Sequence, residues 1–166
     1  MKKAVWSGVV AVAAVLVVSS SAFAQATANG SISVTANVAA KAKLTLGTAS
    51  ITFADADPDV TPTMTSSAVD IDVKTRTSGV GSVTLTVLAS GDLTSGGNTI
   101  GISSLTWTAT GSGFQAGTSN KTTAQTVGSW SGSGSPSGTQ TFSLPNSWTY
   151  ATGTYAVTLN YTLTAP

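Results

Sequence analysis

Gly153-Thr-Tyr-Ala-Val-Thr-Leu-Asn-Tyr-Thr-Leu-Thr164 is the stretch that decides the fold, because large apolar residues alternate along it with small or polar ones. The large side chains occupy the odd positions Tyr155, Val157, Leu159, Tyr161 and Leu163. Side chains on a strand alternate between two faces, so this pattern places all the bulk on one face. A helix would spread the same residues around its circumference. We therefore predict a β-strand with one buried face.

A second alternation, longer than the first, runs from Ser31 to Leu46. Its even positions are small or apolar: Ile32, Val34, Ala36, Val38, Ala40, Ala42, Leu44 and Leu46. Sixteen extended residues would span roughly 50 Å, whereas a common strand spans roughly 17–20 Å. We expect either a break near Ala39 and Ala40 into two strands, or a first half that extends beyond the domain and pairs elsewhere.

The first 24 residues have the three-part layout of a secretory signal peptide. Lys2 and Lys3 precede an apolar run, and Ala22-Phe23-Ala24 is a small-x-small cleavage site. The apolar run is shorter than the ~20 residues that a membrane span needs. We predict cleavage after Ala24 and export by way of the periplasm. The mature protein is then extracellular or on the cell surface, with no membrane insertion.

Composition argues against several classes of function. Removal of Lys2 and Lys3 leaves five basic residues against six acidic ones, a net charge of −1. This balance provides no basic surface for nucleic-acid phosphates. Cys, His and Glu are absent, so there are no disulfides and no His to activate one of the many serines. We expect neither an enzyme nor a cofactor.

The middle of the chain consists of short alternating runs between turns rich in Gly, Ser and Asn. The runs predict strands at residues 51–53, 69–76, 83–87, 100–107, 121–130 and 142–144. The turn Ser78-Gly-Val-Gly81 is expected to join the second and third of these as a β-hairpin. We predict an all-β fold, an antiparallel immunoglobulin-like β-sandwich over residues 41–166, preceded by an N-terminal extension at residues 25–40.

Three alternating aspartates, Asp55, Asp57 and Asp59, lie in a loop that contains two prolines. This spacing could direct three carboxylates at one calcium ion. However, Val60 stands where a calcium loop of the helix-loop-helix type needs Gly, and no Glu follows to close the site. We favour an acidic surface turn and assign no metal site.

Asp70 and Asp72 share one face of a predicted strand and suggest a carboxylate pair for acid–base chemistry. Lys74 and Arg76 continue the same row of side chains. Cross-strand ion pairing or protection of a sheet edge explains such a row better than catalysis does.

Trp107, Trp130 and Trp148 suggest a binding function, because aromatic rings can form a platform on which sugars stack. Trp107 follows Leu105 at strand spacing and is expected in the core, whereas Trp130 and Trp148 flank loops. We favour packing for these rings. Glycan or cell-wall binding through Trp130 and Trp148 is the alternative function.

Two separated stretches resemble parts of known protein families. Ser31-Ile-Ser-Val-Thr-Ala-Asn-Val38 resembles the N-terminal donor strand of fimbrial subunits assembled by the chaperone–usher route, most of all the cysteine-free branch that includes the colonisation-factor pilins. Residues 153–163 are similar to the last strand of such subunits and of spore-coat-U-like secreted domains. They are also similar to the distal motif of Trp-x-Leu cell-wall-binding domains, which carry Trp where Tyr161 stands. We rank that resemblance second.

The first resemblance implies a sandwich that lacks one strand, with a groove that takes the N-terminal strand of a neighbouring copy. The groove-filling side chains would be Ile32, Val34, Ala36 and Val38. The strand that borders the groove would carry Tyr155, Val157, Leu159 and Tyr161. The implied partners are other copies of the chain, a periplasmic chaperone and an outer-membrane usher. The predicted function is that of an exported structural subunit of an adhesive pilus-like or surface fibre.

Overall fold

The computed structural model describes residues 26–166, so the predicted signal peptide, residues 1–24, lies outside the described residues. The chain divides into two units, one ending at Ala36 and the other running from Asn37 to Pro166. Residues 26–36 of the first unit contain no strand, and all of them are exposed. The second unit contains all the described strands.

Eleven strands form the second unit. They are β1 (Lys41–Leu46), β2 (Thr63–Thr65), β3 (Val69–Arg76), β4 (Ser82–Ala89), β5 (Leu93–Ser95), β6 (Asn98–Ile100), β7 (Thr106–Thr110), β8 (Gly117–Thr118), β9 (Gln125–Ser131), β10 (Ser137–Pro145) and β11 (Leu159–Thr164). A 3₁₀ turn, Ile102–Ser104, lies between β6 and β7 and interrupts the strand predicted at residues 100–107. No helix among residues 26–166 is long and apolar enough to cross a membrane.

All the strand pairs are antiparallel. The main sheet has the order β1-β3-β10-β7-β8, with β2 paired to β10, and a second sheet has the order β11-β4-β9. The hairpin β5–β6 stands apart from both. The all-β antiparallel prediction is therefore confirmed.

One hydrophobic core joins the two sheets. Ile71 of β3 and Phe142 of β10 enter it from the main sheet, while Leu85 of β4 and Val127 of β9 enter it from the second sheet. Along β3, buried and exposed residues alternate as period-two patterning requires. Trp107 is 2% exposed, which confirms its predicted place in the core.

The predicted hairpin of β3 and β4 is wrong. β3 belongs to the main sheet and β4 to the second sheet, and the two strands are not paired. The turn at residues 77–81 contains Gly79 at φ 79° and carries the chain from one sheet to the other. Alternation specifies only which face of a strand is buried, and both strands bury that face in the same core.

Two other strand predictions also need correction. Residues 47–62 contain no strand, although Ile51 and Phe53 are half-buried and pack against the core. The last strand begins at Leu159, so Tyr155 and Val157 precede it. Ala156 instead exchanges two backbone hydrogen bonds with Thr94 of β5, at 3.1 and 3.2 Å. The chain around Ala156 therefore pairs with β5 and not with β4.

Candidate functional site

The last strand, β11, is paired along only one of its sides, by β4. The Ser90 N–H donates to the Thr158 carbonyl at 2.9 Å, so Thr158 and Ser90 form a hydrogen-bonded pair of this antiparallel ladder. Hydrogen-bonded positions alternate in such a ladder, so the even residues of β11 bond to β4. The backbone groups of Leu159, Tyr161 and Leu163 therefore face the other side, where no strand of residues 26–166 pairs with them.

The same three residues also direct their side chains inward. Leu159, Tyr161 and Leu163 are half-buried and pack against the core, whereas Asn160 and Thr162 between them are exposed. An unpaired strand edge is a template for pairing with another chain. At β11 such a chain would meet free backbone groups and incompletely covered apolar side chains at the same positions.

A second open edge belongs to β1, which is paired only by β3. The Gly47 N–H donates to the Asp70 carbonyl at 2.8 Å, so the odd residues of β1 bond to β3. The backbone groups of Leu44 and Leu46 consequently face away from β3, and their side chains are half-buried against the core. β1 therefore repeats the arrangement of β11 at the edge of the other sheet.

These two edges approach each other without pairing. Cα atoms of β1 and β11 come within 8 Å of one another, yet the strands belong to different sheets. A strand bonded to both would need about 9.5 Å between them, since neighbouring strands lie about 4.8 Å apart. We call the site between β1 and β11 the open groove. An inserted strand must therefore widen it by at least about 1.5 Å at its narrowest point.

A partly buried hydrogen bond links the groove border to the main sheet. The Tyr161 hydroxyl donates to Oε1 of Gln140 on β10 at 2.6 Å. Gln140 is completely buried, and its Nε2 has no hydrogen-bond partner within the described part of the chain. Burial also raises the pKa of Tyr161 above its ordinary value. Burial therefore favours the neutral phenol, and the hydrogen bond ties β11 to β10 through the core.

The predicted site residues have different places in the structure. Ile32, Val34, Ala36 and Val38 are exposed and belong to no strand. Leu159 and Tyr161 lie on β11, whereas Tyr155 and Val157 are half-buried just before it. Sequence reasoning did not assign Leu44, Leu46, Leu163 and Gln140 to the site. The three leucines belong to the two alternations, but no sequence signal identifies Gln140.

Neither explanation expected for the charged row of β3 holds, because β3 lies between β1 and β10 rather than at a sheet edge and its charged residues form no ion pair within residues 26–166. Lys43 of β1 lies directly opposite Lys74 of β3, and Lys41 lies opposite Arg76. We call these four residues the basic patch, and the expectation from net charge that the chain offers no basic surface is therefore wrong. None of them forms an ion pair within residues 26–166, where Lys121 and Asp92 make the only one. The hydrogen bond from Lys121, together with one from the Ile102 backbone, lowers the pKa of Asp92.

Asp55, Asp57 and Asp59 lie in residues 54–62, which we call the acidic loop. No group of acidic residues in the described part of the chain is arranged to hold a metal ion. The Asn146 amide donates to the carbonyls of Ala56 and Thr61, at 2.9 and 3.1 Å, and so fixes the loop beside the end of β10. The loop is therefore an anchored surface turn.

The tryptophans at the loops differ in exposure. Trp130 is half-buried, and its ring packs edge-on against that of Phe114 with 4.9 Å between the ring centroids. Its indole N–H donates to the Ser112 carbonyl at 2.8 Å. Trp148 is 69% exposed, and its indole N–H donates to Asp59 at 3.1 Å. Trp130 thus packs within the fold, while Trp148 presents its ring to solvent.

No protein-family model matches the chain, and no curated protein matches it.

Proposed function

We propose that the protein is an exported structural subunit that polymerises into a pilus-like surface fibre by donating residues 31–38 to the next copy. The observation that carries this proposal is the unpaired edge of β11. There Leu159, Tyr161 and Leu163 offer free backbone groups and half-covered apolar side chains together. The fold is then an immunoglobulin-like sandwich that lacks the strand between β1 and β11.

The N-terminal segment has the composition that this groove needs. Ile32 is 90% exposed, Val34 87% and Val38 64%, so three apolar side chains in one alternating row have little cover. Full burial of such a side chain contributes about 1.5–3 kcal/mol. Donation would cover these residues and the groove border in one step, and would pair the open edge of β11.

A donor from another copy is favoured over a donor from the same chain. Filling the groove beside its own β1 would require residues 31–38 to reverse direction at Ala39 and Ala40. Tight hairpin turns need positive φ angles and select Gly or Asn. No residue other than glycine has a positive φ in the described chain. A neighbouring copy meets the groove without this turn.

The test is the assembly of the mature chain from Gln25, followed by size-exclusion chromatography and electron microscopy. Val34→Asp places a charge on the donated row of side chains, and Thr35→Asp places the same charge on the opposite row. We expect fibres from the unmodified chain and from Thr35→Asp, but monomers from Val34→Asp. A peptide of residues 31–38 added in excess should shorten the fibres.

The proposal fails if the unmodified chain stays a stable monomer in which residues 31–38 resist proteolysis. This result must hold when a periplasmic chaperone and an outer-membrane usher are supplied, since the resemblance implies these assembly partners. The protein would then be a self-complete domain.

A second candidate function is binding of glycans or the cell wall, and the exposure of Trp148 favours it. Its indole N–H is held by the Asp59 carboxylate, which orients the ring and leaves a hydrogen-bond acceptor beside it. Trp148→Ala should abolish binding of the protein to the glycan or cell wall, while Trp148→Phe should keep part of this binding. Unchanged retention in Trp148→Ala would remove this candidate.

A further inference from the structure

The basic patch places like charges directly against each other. Its members are four of the five basic residues that follow Lys3. Directly opposite like charges destabilise an antiparallel pair. Asp72 on β3 is two residues from Lys74 on the same face, but it forms no ion pair with any member of the patch. Within the described chain the patch therefore lacks a close charge partner.

The acidic loop lies at the other end of the same sheet. β10 runs from Ser137, opposite Asp72, to Pro145, opposite Thr63, and the loop is fixed just beyond that end. On β3, Arg76 lies four residues past Asp72 on the side away from the acidic loop. At about 3.4 Å per residue, the loop and the patch are on the order of 40 Å apart along the strands. One unit therefore carries opposite charges at its two ends.

The open groove runs between these two ends. β4 begins at Ser82, with only five residues between it and Arg76, so its other end, Ala89, lies at the acidic end. Leu159 pairs with Ala89 and Thr164 pairs with Thr84, so β11 runs from the acidic end to the basic end. β1 also leaves the groove at the acidic end, because the segment after Leu46 continues into the acidic loop.

On the basis of the strand donation proposed above, we propose that the basic patch of one copy docks on the acidic loop of the next. Only Ala39 and Ala40 separate the donated residues 31–38 from Lys41, so the donor's patch sits at the mouth of the acceptor groove. A strand that enters antiparallel to β11 places this patch at the acidic end of the acceptor. A parallel strand would place it against the acceptor's own basic patch.

Charge complementarity therefore selects one orientation of the donated strand and attracts the ends that must meet. Such attraction raises association rates and weakens as salt screens it. The partner surface is a second copy of this chain, because the same chain carries both charged ends.

The test measures the initial rate of fibre growth by light scattering in 0.02 and 0.5 M NaCl. Lys43→Gln with Lys74→Gln weakens the patch, and Asp55→Asn with Asp59→Asn weakens the loop. Thr99→Glu with Thr108→Glu makes the same change in net charge as the lysine pair at exposed positions outside both. We expect growth of the unmodified chain to be about tenfold faster at low salt, and each neutralised pair to lose most of that gain. The control pair should keep it.

Combining the two neutralised pairs distinguishes a direct contact from a general charge effect. If the patch meets the loop, the combined variant grows about as fast as either pair alone, because one interaction has been removed twice. Additive losses, or equal rates at both salt concentrations, overturn the docking while strand donation stands. If no fibres form in any condition, both proposals fall.

Discussion

The Tyr161 hydroxyl on β11 donates to the buried Gln140 side chain on β10, and this 2.6 Å bond spans the two sheets through their common core. Tyr161 also borders the open groove, since its backbone groups face the unpaired side of β11. Tyr161 therefore anchors the border strand, and under the proposed strand donation its backbone would also pair with the incoming chain.

Tyr161→Phe should lower the free energy of unfolding by about 1–3 kcal/mol, because it leaves the Gln140 amide buried with no partner for either end. Gln140→Met in the same chain should recover part of this loss by removing the unpaired amide. Urea denaturation of Tyr161→Phe, of Gln140→Met and of the double variant measures the three losses. A loss in the double variant equal to the sum of the two single losses would show that the pair is not coupled.

Stability should fall above pH 10 through Tyr161. Its pKa is raised in the folded state by burial, so the folded chain holds this proton after the unfolded chain has released it. Its contribution is fully present below the ordinary pKa of 10 and is lost as the pH rises, by up to about 1.4 kcal/mol per pH unit. Urea titrations from pH 8 to 11 should show a smaller decline for Tyr161→Phe. Equal declines would contradict the raised pKa.

Leu163→Lys should stop assembly, since it places a charge in the open groove beside the free backbone groups of β11. Thr162→Lys is the matched control, because Thr162 is the next residue and points outward. We expect both variants to fold, with about 1–2 kcal/mol lost in Leu163→Lys from the half-buried leucine. Sedimentation separates fibres from monomers. Normal fibres from Leu163→Lys would exclude the groove as the site of pairing.

Gly128→Ala should destabilise the fold by about 1–3 kcal/mol through overpacking. A Cβ at this buried position on β9 would collide with the Trp130 ring, which lies over it. Gly97→Ala is the control, since its Cβ would meet no atom within 4 Å. Thermal unfolding compares the two variants. Equal melting temperatures would contradict the assigned packing of Trp130.

Period-two alternation in the sequence was sufficient to predict the all-β class and the central strands. Val69 to Arg76 forms β3 as expected, and Trp107 lies in the core. The pattern could not predict which strands pair, because β3 and β4 bury the same kind of face in one core from opposite sheets. Pairing depends on contacts distant in sequence, which local alternation does not encode.

Polar features of the site were less predictable than apolar ones. The row Asp70 to Arg76 suggested ion pairs, but the register places Lys74 opposite Lys43 and Arg76 opposite Lys41. Only the register of β1 on β3 reveals this repulsion. Gln140 is buried because its side chain lies between the two sheets, where it meets Tyr161. In the sequence it stands between two threonines, a pattern that predicts an exposed strand position.

The most direct test of strand donation is a disulfide between two different copies, because the chain contains no cysteine of its own. One copy carries Thr35→Cys and the other carries Thr162→Cys, with Ser33→Cys and Asn37→Cys covering other registers. Neighbouring strands place opposed Cα atoms about 4.5–5.5 Å apart, within reach of a disulfide. A copy with Thr108→Cys on β7 replaces the second partner as the control.

The mixture is oxidised and resolved by non-reducing electrophoresis and mass spectrometry. Strand donation predicts a disulfide-linked pair of the two copies for at least one register, and none with Thr108→Cys. The contradicting result is no such pair at any register, together with a disulfide inside the chain when Thr162→Cys and a donor-segment cysteine share one copy.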